Sequence, residues 1–368
     1  MSDPVPADRL ARARKATAEA GIDALLVSPG ADLRYLTGYD AVPLERLTCL
    51  VVAAAGDPVL VVPELERPAA RSSPAGRLGV AILAWGETDD PYALVASLLP
   101  GAATVAVDNS MWAEKALGLA AAMPAARQVL AGTVLRELRM RKDPAEVAAL
   151  RWVAAAIDRV HEQVPSLLRA GRTERDVGRD IAEAILAAGH ARVDFVIVAS
   201  GPNGASPHHE LSDRVLTAGD PVVVDIGGTS AAGYCSDSTR TYVLGEPPAD
   251  FHAYYDVLAR AQAAAVEHVR PGVSCESVDA AARSVIAAAG YGERFIHRTG
   301  HGIGLQTHEE PYIVAGNLLP LEPGMAFSVE PGIYLPGRHG ARIEDIVVCT
   351  SHGRERLNRT ERELVVVG

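Results

Sequence analysis

The stretch DPVVVDIGGTSAAGYCSDSTRTYVLG (220–245) decides how this chain folds. Val222, Val223 and Val224 follow Pro221 as an apolar, β-branched run, the composition of a buried strand. Asp225 ends that run. A carboxylate at the inner end of a buried strand is costly unless it is paired or holds a cation, although an Asp just before Gly227-Gly228 also suits a turn cap. After TSAAG the chain returns as GYCSDSTRTYVL. Alternate residues of a strand share a face, so Asp237, Thr239 and Thr241 point one way and Ser236, Ser238 and Arg240 the other. A hairpin therefore sets Asp237 beside Asp225, and two facing carboxylates repel unless a cation lies between them.

The same arrangement recurs downstream. FSVEPGIY (327–334) places Glu330 at the end of an apolar strand, and LPGRHGARIED (335–345) turns back to deliver Glu344, with Arg342 on the same face. Between the two acid pairs, HRTGHGIGLQTHEEP (297–311) carries His297, His301 and His308, threaded by Gly300, Gly302 and Gly304, which let backbone approach a site closely. Imidazole plus four carboxylates is an oxygen-dominated donor set that suits Mn²⁺, Co²⁺ or Zn²⁺. Two of the carboxylates can bridge, which gives a two-metal clamp with ions roughly 3.5–4 Å apart and a water acidified enough to attack without a Ser or Cys nucleophile. The sequence has no G-x-S-x-G elbow, no H-E-x-x-H, no P-loop and no G-x-G-x-x-G behind a strand.

Bulk properties narrow the field. With 368 residues, 48% hydrophobic and 22% charged, the chain is globular and long enough for two cores. Its net charge of −11 argues against a nucleic-acid partner, which would require basic patches. No run approaches the roughly 20 apolar residues of a membrane span, and MSDPVPADRLARARKA lacks the apolar core of a signal peptide. The four cysteines (Cys49, Cys235, Cys275, Cys349) are scattered without a CxxC pair, as expected of reduced, buried thiols in a cytoplasmic protein. Cys235 lies beside the proposed chemistry but reads as packing.

Residues 1–140 alternate strand runs (22–28, 48–55, 58–64, 79–85, 104–108) with helical stretches (8–21, 91–99, 113–122), the pattern of an α/β domain. The character changes near 140. Asp143-Pro144 caps a long amphipathic helix expected to reach Leu168, and Thr173 opens a second. Strand runs then dominate, interrupted by helices at about 249–269 and 275–289, so residues 141–368 read as an α+β domain.

At these residues the chain resembles the pita-bread metallopeptidases: Xaa-Pro dipeptidase (prolidase), aminopeptidase P and methionine aminopeptidase. RYLTGYD (34–40) is similar to the signature of the creatinase/prolidase-type N-terminal domain, and LRMRKDPAEVAALR to the entry of the catalytic domain. SGPNGASPHH, DIGG…GYCSDSTRT, HRTGHGIGLQTHEEP, EPGIY and GARIED follow in the family's order. The resemblance implies a pita-bread catalytic domain preceded by a smaller α/β domain. It implies Asp225, Asp237, His301, Glu330 and Glu344 as ligands of two divalent ions, Mn²⁺ first, with Asp237 and Glu344 bridging. By the same resemblance Glu330 is expected to double as acid and base, His208 and His308 to position the substrate and steady the tetrahedral intermediate, and His297 to support them. Arg342 resembles the arginine near the bridging Glu, and Tyr234 is expected to line the substrate pocket.

The implied substrate is a small peptide with proline after the scissile bond, and the implied assembly a homodimer. All five ligand types are present, and the EPGIY and RIED endings favour the Xaa-Pro branch. Aminopeptidase P action on longer peptides, hydrolysis of an ectoine- or creatine-like amide, and a non-catalytic binding role are the alternatives. Two departures stand out: one extra residue between Thr229 and Gly233, and no Arg or Lys between His308 and Glu330, where some prolidases hold the substrate carboxylate. Arg342, Arg338 or the Arg46 of a second copy are the substitutes in view.

Overall fold

The computed structural model describes residues 8–368. These fall into two compact units that divide between Arg139 and Met140. In the first, strands β1 (Ala24–Val27), β2 (Cys49–Ala53), β3 (Val59–Pro63), β4 (Ala81–Trp85), β5 (Thr104–Val107) and β6 (Arg127–Leu130) form a mixed sheet in the order β4-β3-β2-β1-β5-β6. Leu26, Val51 and Val105 from the sheet pack with Val95 and Leu119 from the helices Pro91–Ser97 and Ala113–Ala122. All five expected strands form. β6 was not expected, because its four residues RQVL are too short and too polar to show a period.

The second unit has two halves. In one, β7 (Arg192–Ser200), β8 (Pro221–Thr229) and β9 (Ser238–Leu244) form an antiparallel sheet, backed by helices Pro144–His161 and Glu174–Ala187. In the other, β10 (Gly300–Gly302), β11 (Glu309–Ile313), β12 (Ala326–Val329), β13 (Gly332–Leu335), β14 (His339–Arg342), β15 (Asp345–Thr350) and β16 (Gly353–Arg356) are backed by helices Phe251–His268 and Cys275–Ala288. A last strand, β17 (Val365–Val367), runs parallel to β9. Each half buries its own apolar layer between helix pair and sheet, which is the main stabilising term of such a unit.

One local outcome differs from the sequence expectation, and two more bear on how the acids are placed. The first long helix stops at His161, not Leu168, and a separate turn of helix follows at Val164–Leu167. Pro165 is the cause, since it lacks an N–H and its ring would collide with the carbonyl four residues back, at His161. The extra residue after Thr229 is absorbed in the turn: Ser230 N–H donates to the Tyr234 carbonyl, and Gly233 takes φ +90°. Register is kept, with Asp225 opposite Thr239. Finally, the two downstream acids sit at strand breaks. Glu330 lies between β12 and β13, and Glu344 between β14 and β15, where β13 and β14 peel away as a separate two-stranded ladder.

Candidate active site and metal centre

β8 and β9 carry the first pair of acids. Asp225 and Asp237 are both buried, and Asp237 lies two residues before Thr239, on the same face. Glu344 reaches them from the β14–β15 break, its backbone N–H bonded to the Thr239 carbonyl. From the other half, β10 contributes His301 and the end of β12 contributes Glu330. Gly300 lets these strands meet: a Cβ there would overlap the carbonyl oxygen of Ser328, and the Ser328 hydroxyl instead accepts from the His301 N–H.

The donor atoms converge. Those of Asp225, Asp237 and Glu344 lie within 4.8 Å of one another, as do those of His301, Glu330 and Glu344, and those of Asp237, His301 and His308. Asp237, His301 and Glu344 each belong to two of these groups. The Oδ1 of Asp225 and the Oε1 of Glu344 are buried without a hydrogen-bond partner, which is costly for a carboxylate unless it coordinates a cation. Burial and the charges of Glu344, Asp225 and Glu330 push the Asp237 carboxyl well above its ordinary value; burial, Glu330 and Asp225 do the same to Glu344. Glu330 goes the other way. Burial acts to raise it, but His301, His297 and Arg342 draw it down to about 2. A site that holds its acids this unequally, with two oxygens unsatisfied, fits a divalent cation.

The surroundings are built to orient. Arg342 donates to Asp225 Oδ2 at 2.5 Å, to Tyr334 Oη at 2.9 Å and to Thr239 Oγ1 at 3.2 Å. Thr239 in turn donates to Glu344 Oε2 at 2.7 Å, so Arg342 reaches Glu344 through a hydroxyl and makes its own carboxylate pair with Asp225. His297 Nδ1 lies 2.7 Å from the Arg298 carbonyl and can only donate there, which leaves its Nε2 to accept from Tyr334 at 2.8 Å. Burial and the His301 ring lower His308 to about 4, so at neutral pH it is an uncharged imidazole, its ring centroid 4.0 Å from that of His301.

A cavity of about 1230 Å³ opens onto this centre, lined by the four acids and the imidazole named as ligands together with His208, His297, His308 and Arg342. Of the residues assigned to the site from sequence, Tyr234 lies elsewhere, and Arg338, in view for the substrate carboxylate, is paired with Asp250 outside the cavity wall. Tyr234 is buried among Leu150, Val153 and Ile303, and its hydroxyl donates to Glu146. The β8–β9 turn points it away from the acids, and Tyr334, within the EPGIY motif, is the phenol that touches the site. Cys235 is packed, its thiol raised by burial to about 11.

Sequence reasoning also missed Glu174. Its buried carboxylate accepts from Ser200 N and Oγ, Asn203, His209 and Ser212, and so pins the loop that carries His208.

Residues 148–351 match the metallopeptidase family M24, and residues 9–141 match the creatinase/prolidase N-terminal domain. The chain belongs to metallopeptidase family M24. It is therefore an enzyme with the pita-bread catalytic fold behind a smaller N-terminal domain. This M24 enzyme is 58% identical over 364 residues to a probable dipeptidase PepE of Mycobacterium tuberculosis, covering 99% of this chain and 97% of that one. It is 34% identical over 359 residues to a Xaa-Pro dipeptidase of Lactobacillus helveticus, covering 94% and 95%. The crystal structure of dipeptidase PepE from Mycobacterium ulcerans superposes with a TM-score of 0.95 at 58% identity, covering 100% and 99% of the two chains. Among the described residues, no helix of this M24 enzyme is long and apolar enough to cross a membrane.

Proposed function

We propose that this enzyme hydrolyses the Xaa-Pro bond of dipeptides with two divalent ions, Mn²⁺ first and Co²⁺ or Zn²⁺ as alternatives. The observation that carries the reading is the convergence of Asp225, Asp237, His301, Glu330 and Glu344, with Asp237, His301 and Glu344 each shared between two donor groups. The proline preference draws its support from the Xaa-Pro dipeptidase relative. The ions supply Lewis acidity toward the scissile carbonyl and lower the pKa of the attacking water. Glu330, bonded by the Ser328 hydroxyl at 3.2 Å and at the cavity wall, takes the proton from that water and passes it to the departing proline nitrogen.

Neutral His308 donates an N–H to the oxygen that becomes negative, and His208 steadies the substrate from the opposite loop. His297, fixed in one tautomer by Tyr334 and its own chain, lines the same cavity. Proline specificity has a physical reason. A tertiary amide lacks the N–H that other peptidases grip, so a shaped pocket takes over that role. In this reading residues 1–140 form the accessory domain and 141–368 the catalytic one.

The test is release of the N-terminal alanine from Ala-Pro, Ala-Pro-Ala and Ala-Ala by Mn²⁺-reconstituted protein, with Asp237→Ala as control. Cleavage of Ala-Pro alone is expected. Cleavage of the tripeptide as well turns the assignment to aminopeptidase P. No turnover of either proline substrate, with ions bound, refutes the proposal.

A further inference from the structure

Asp279 is a fully buried acid that takes no part in the donor cluster. It is 1% exposed, on the helix Cys275–Ala288, and a carboxylate at that depth needs partners. They come from two directions. Arg283, one turn further along the helix, donates to both of its oxygens at 2.9 Å, the bidentate form of an ion pair. Thr299 donates to Oδ1 from its hydroxyl at 2.7 Å and from its backbone N–H at 3.1 Å. Arg283 turns its other N–H groups to the same segment. It donates to the Phe295 carbonyl at 3.0 Å and to the His297 carbonyl at 2.8 Å, its guanidinium carbon 4.1 Å from the centroid of the Phe295 ring.

Residues 295–299 belong to no strand or helix, so no ladder sets their course. A segment of that kind lies where its backbone groups find partners, and the Phe295 carbonyl, the His297 carbonyl and the Thr299 N–H all find theirs on two side chains of one helix. The segment carries His297, which lines the catalytic cavity. The Thr299 carbonyl accepts the Glu330 N–H at 2.8 Å, and His301 follows two residues later on β10. Asp279 and Arg283 are not part of the wall of that cavity; they line a separate one of about 440 Å³. Substrate in the catalytic cavity does not reach them, so whatever they do to the reaction passes through His297 and Glu330.

We infer that Asp279 and Arg283 are positioning residues for the hydrolysis, a brace set outside the site that fixes the His297 ring and the backbone of Glu330 in the arrangement turnover requires. The inference rests on the hydrolase reading above. Contact with substrate belongs to the cavity wall, so the brace governs kcat and leaves KM alone.

Steady-state kinetics joined to a spectroscopic readout tests it. In ion-loaded Arg283→Met acting on Ala-Pro, kcat should fall roughly 10–100-fold with KM within about 3-fold of the wild type, the scale on which outer partners of a site act. Arg283→Lys keeps the charge beside Asp279 without the fork and should recover part of the loss. Tyr334→Phe frees the same imidazole from its other side, so the protein carrying both Arg283→Met and Tyr334→Phe should lose little more than the worse single variant. Imidazole ¹⁵N spectra of the full ion-free chain, with His297 assigned through His297→Gln, should show the Nδ1–H tautomer alone in the wild type and a mixture in Arg283→Met. Turnover by folded Arg283→Met within about 2-fold of the wild type, a rise in KM at unchanged kcat, losses that multiply with Tyr334→Phe, or an unchanged His297 spectrum would each overturn the assignment. If Arg283→Met does not fold, judged by its melting curve, Arg283→Gln takes its place. The parent reading is scored separately. If the wild type cleaves Ala-Leu but not Ala-Pro, proline specificity falls and the same kinetics are read on Ala-Leu. If it cleaves no peptide, the hydrolase reading falls, while the His297 spectra still decide for or against the brace.

Discussion

Glu174→Gln changes one atom type at the base of the loop that carries His208, and its consequences can be worked out bond by bond. Oε1 accepts from Ser200 N at 2.7 Å and Ser200 Oγ at 2.7 Å; Oε2 accepts from His209 Nε2 at 2.8 Å and Ser212 Oγ at 2.5 Å. The Asn203 amide spans both oxygens. Gln keeps one acceptor and turns the other into a donor that faces donors. Hydrogen bonds to a charged group contribute about 1.5–3 kcal/mol each. Losing the His209 bond and reversing Ser212, which recovers some by rotating its hydroxyl, should cost roughly 3 kcal/mol at pH 7.

The sign of the pH dependence follows from the carboxyl itself. Burial raises it, but the bonds from Ser212, Ser200 and His209 pull it below its ordinary range. A depressed pKa contributes stability above the unfolded value of about 4.3, and that contribution is lost as pH falls through the folded value. The gap between wild type and Glu174→Gln should therefore be full at pH 7 and close on acidification. Urea denaturation at pH 7 and pH 4 measures the gap, and hydrogen exchange over 200–212 localises it. A difference below about 0.5 kcal/mol at pH 7, or one that widens in acid, would refute the reasoning.

Three further outcomes are expected. Metal binding should release protons and tighten as pH rises, because Asp237 and Glu344 are raised by burial and like charge and must deprotonate to coordinate; calorimetry in buffers of different ionisation enthalpy counts the protons. By the same linkage the ion-free protein should lose stability as pH climbs above about 4, the range in which those two carboxyls are protonated when folded and ionised when unfolded. Arg342→Met should destabilise the ion-free protein by about 3–5 kcal/mol in a chemical melt, since it strands buried Asp225. Tyr334→Phe should lower kcat roughly 10–100-fold with little change in KM, because it frees the His297 ring that the phenol orients.

The donor cluster was legible because buried acids at strand ends have few bland explanations and because a period of two fixes which side chains share a face. That logic placed Asp237 beside Asp225 through an irregular turn of unfamiliar length. It failed where period gives no guidance. Tyr234 sits in the turn itself, whose residues point as the local hydrogen bonds direct, and so it went into the core against Glu146. Tyr334 lay in a quoted motif, but its reach to both His297 and Arg342 is a product of β13 leaving the sheet at Pro331. Glu174 opens a helix and looks like an ordinary first-turn acid. Its five donors come from a loop about thirty residues on, contacts that no local pattern encodes. The helix break at Pro165 was written in plain sight and outweighed by the apolar period around it.

The strand breaks at Glu330 and Glu344 bear on how this unit comes apart. Asp225 and Asp237 belong to the sheet backed by the helices that begin at Pro144 and Glu174, and His301 and Glu330 to the sheet backed by the other helix pair. Glu344 stands at the seam, tied to the first sheet through Thr239. Neither half can open without dismantling the donor cluster, so an ion bound there raises the opening free energy of both by the same amount. Loaded protein should exchange its β8 and β12 amides in one cooperative event, where ion-free protein opens the two halves on separate clocks.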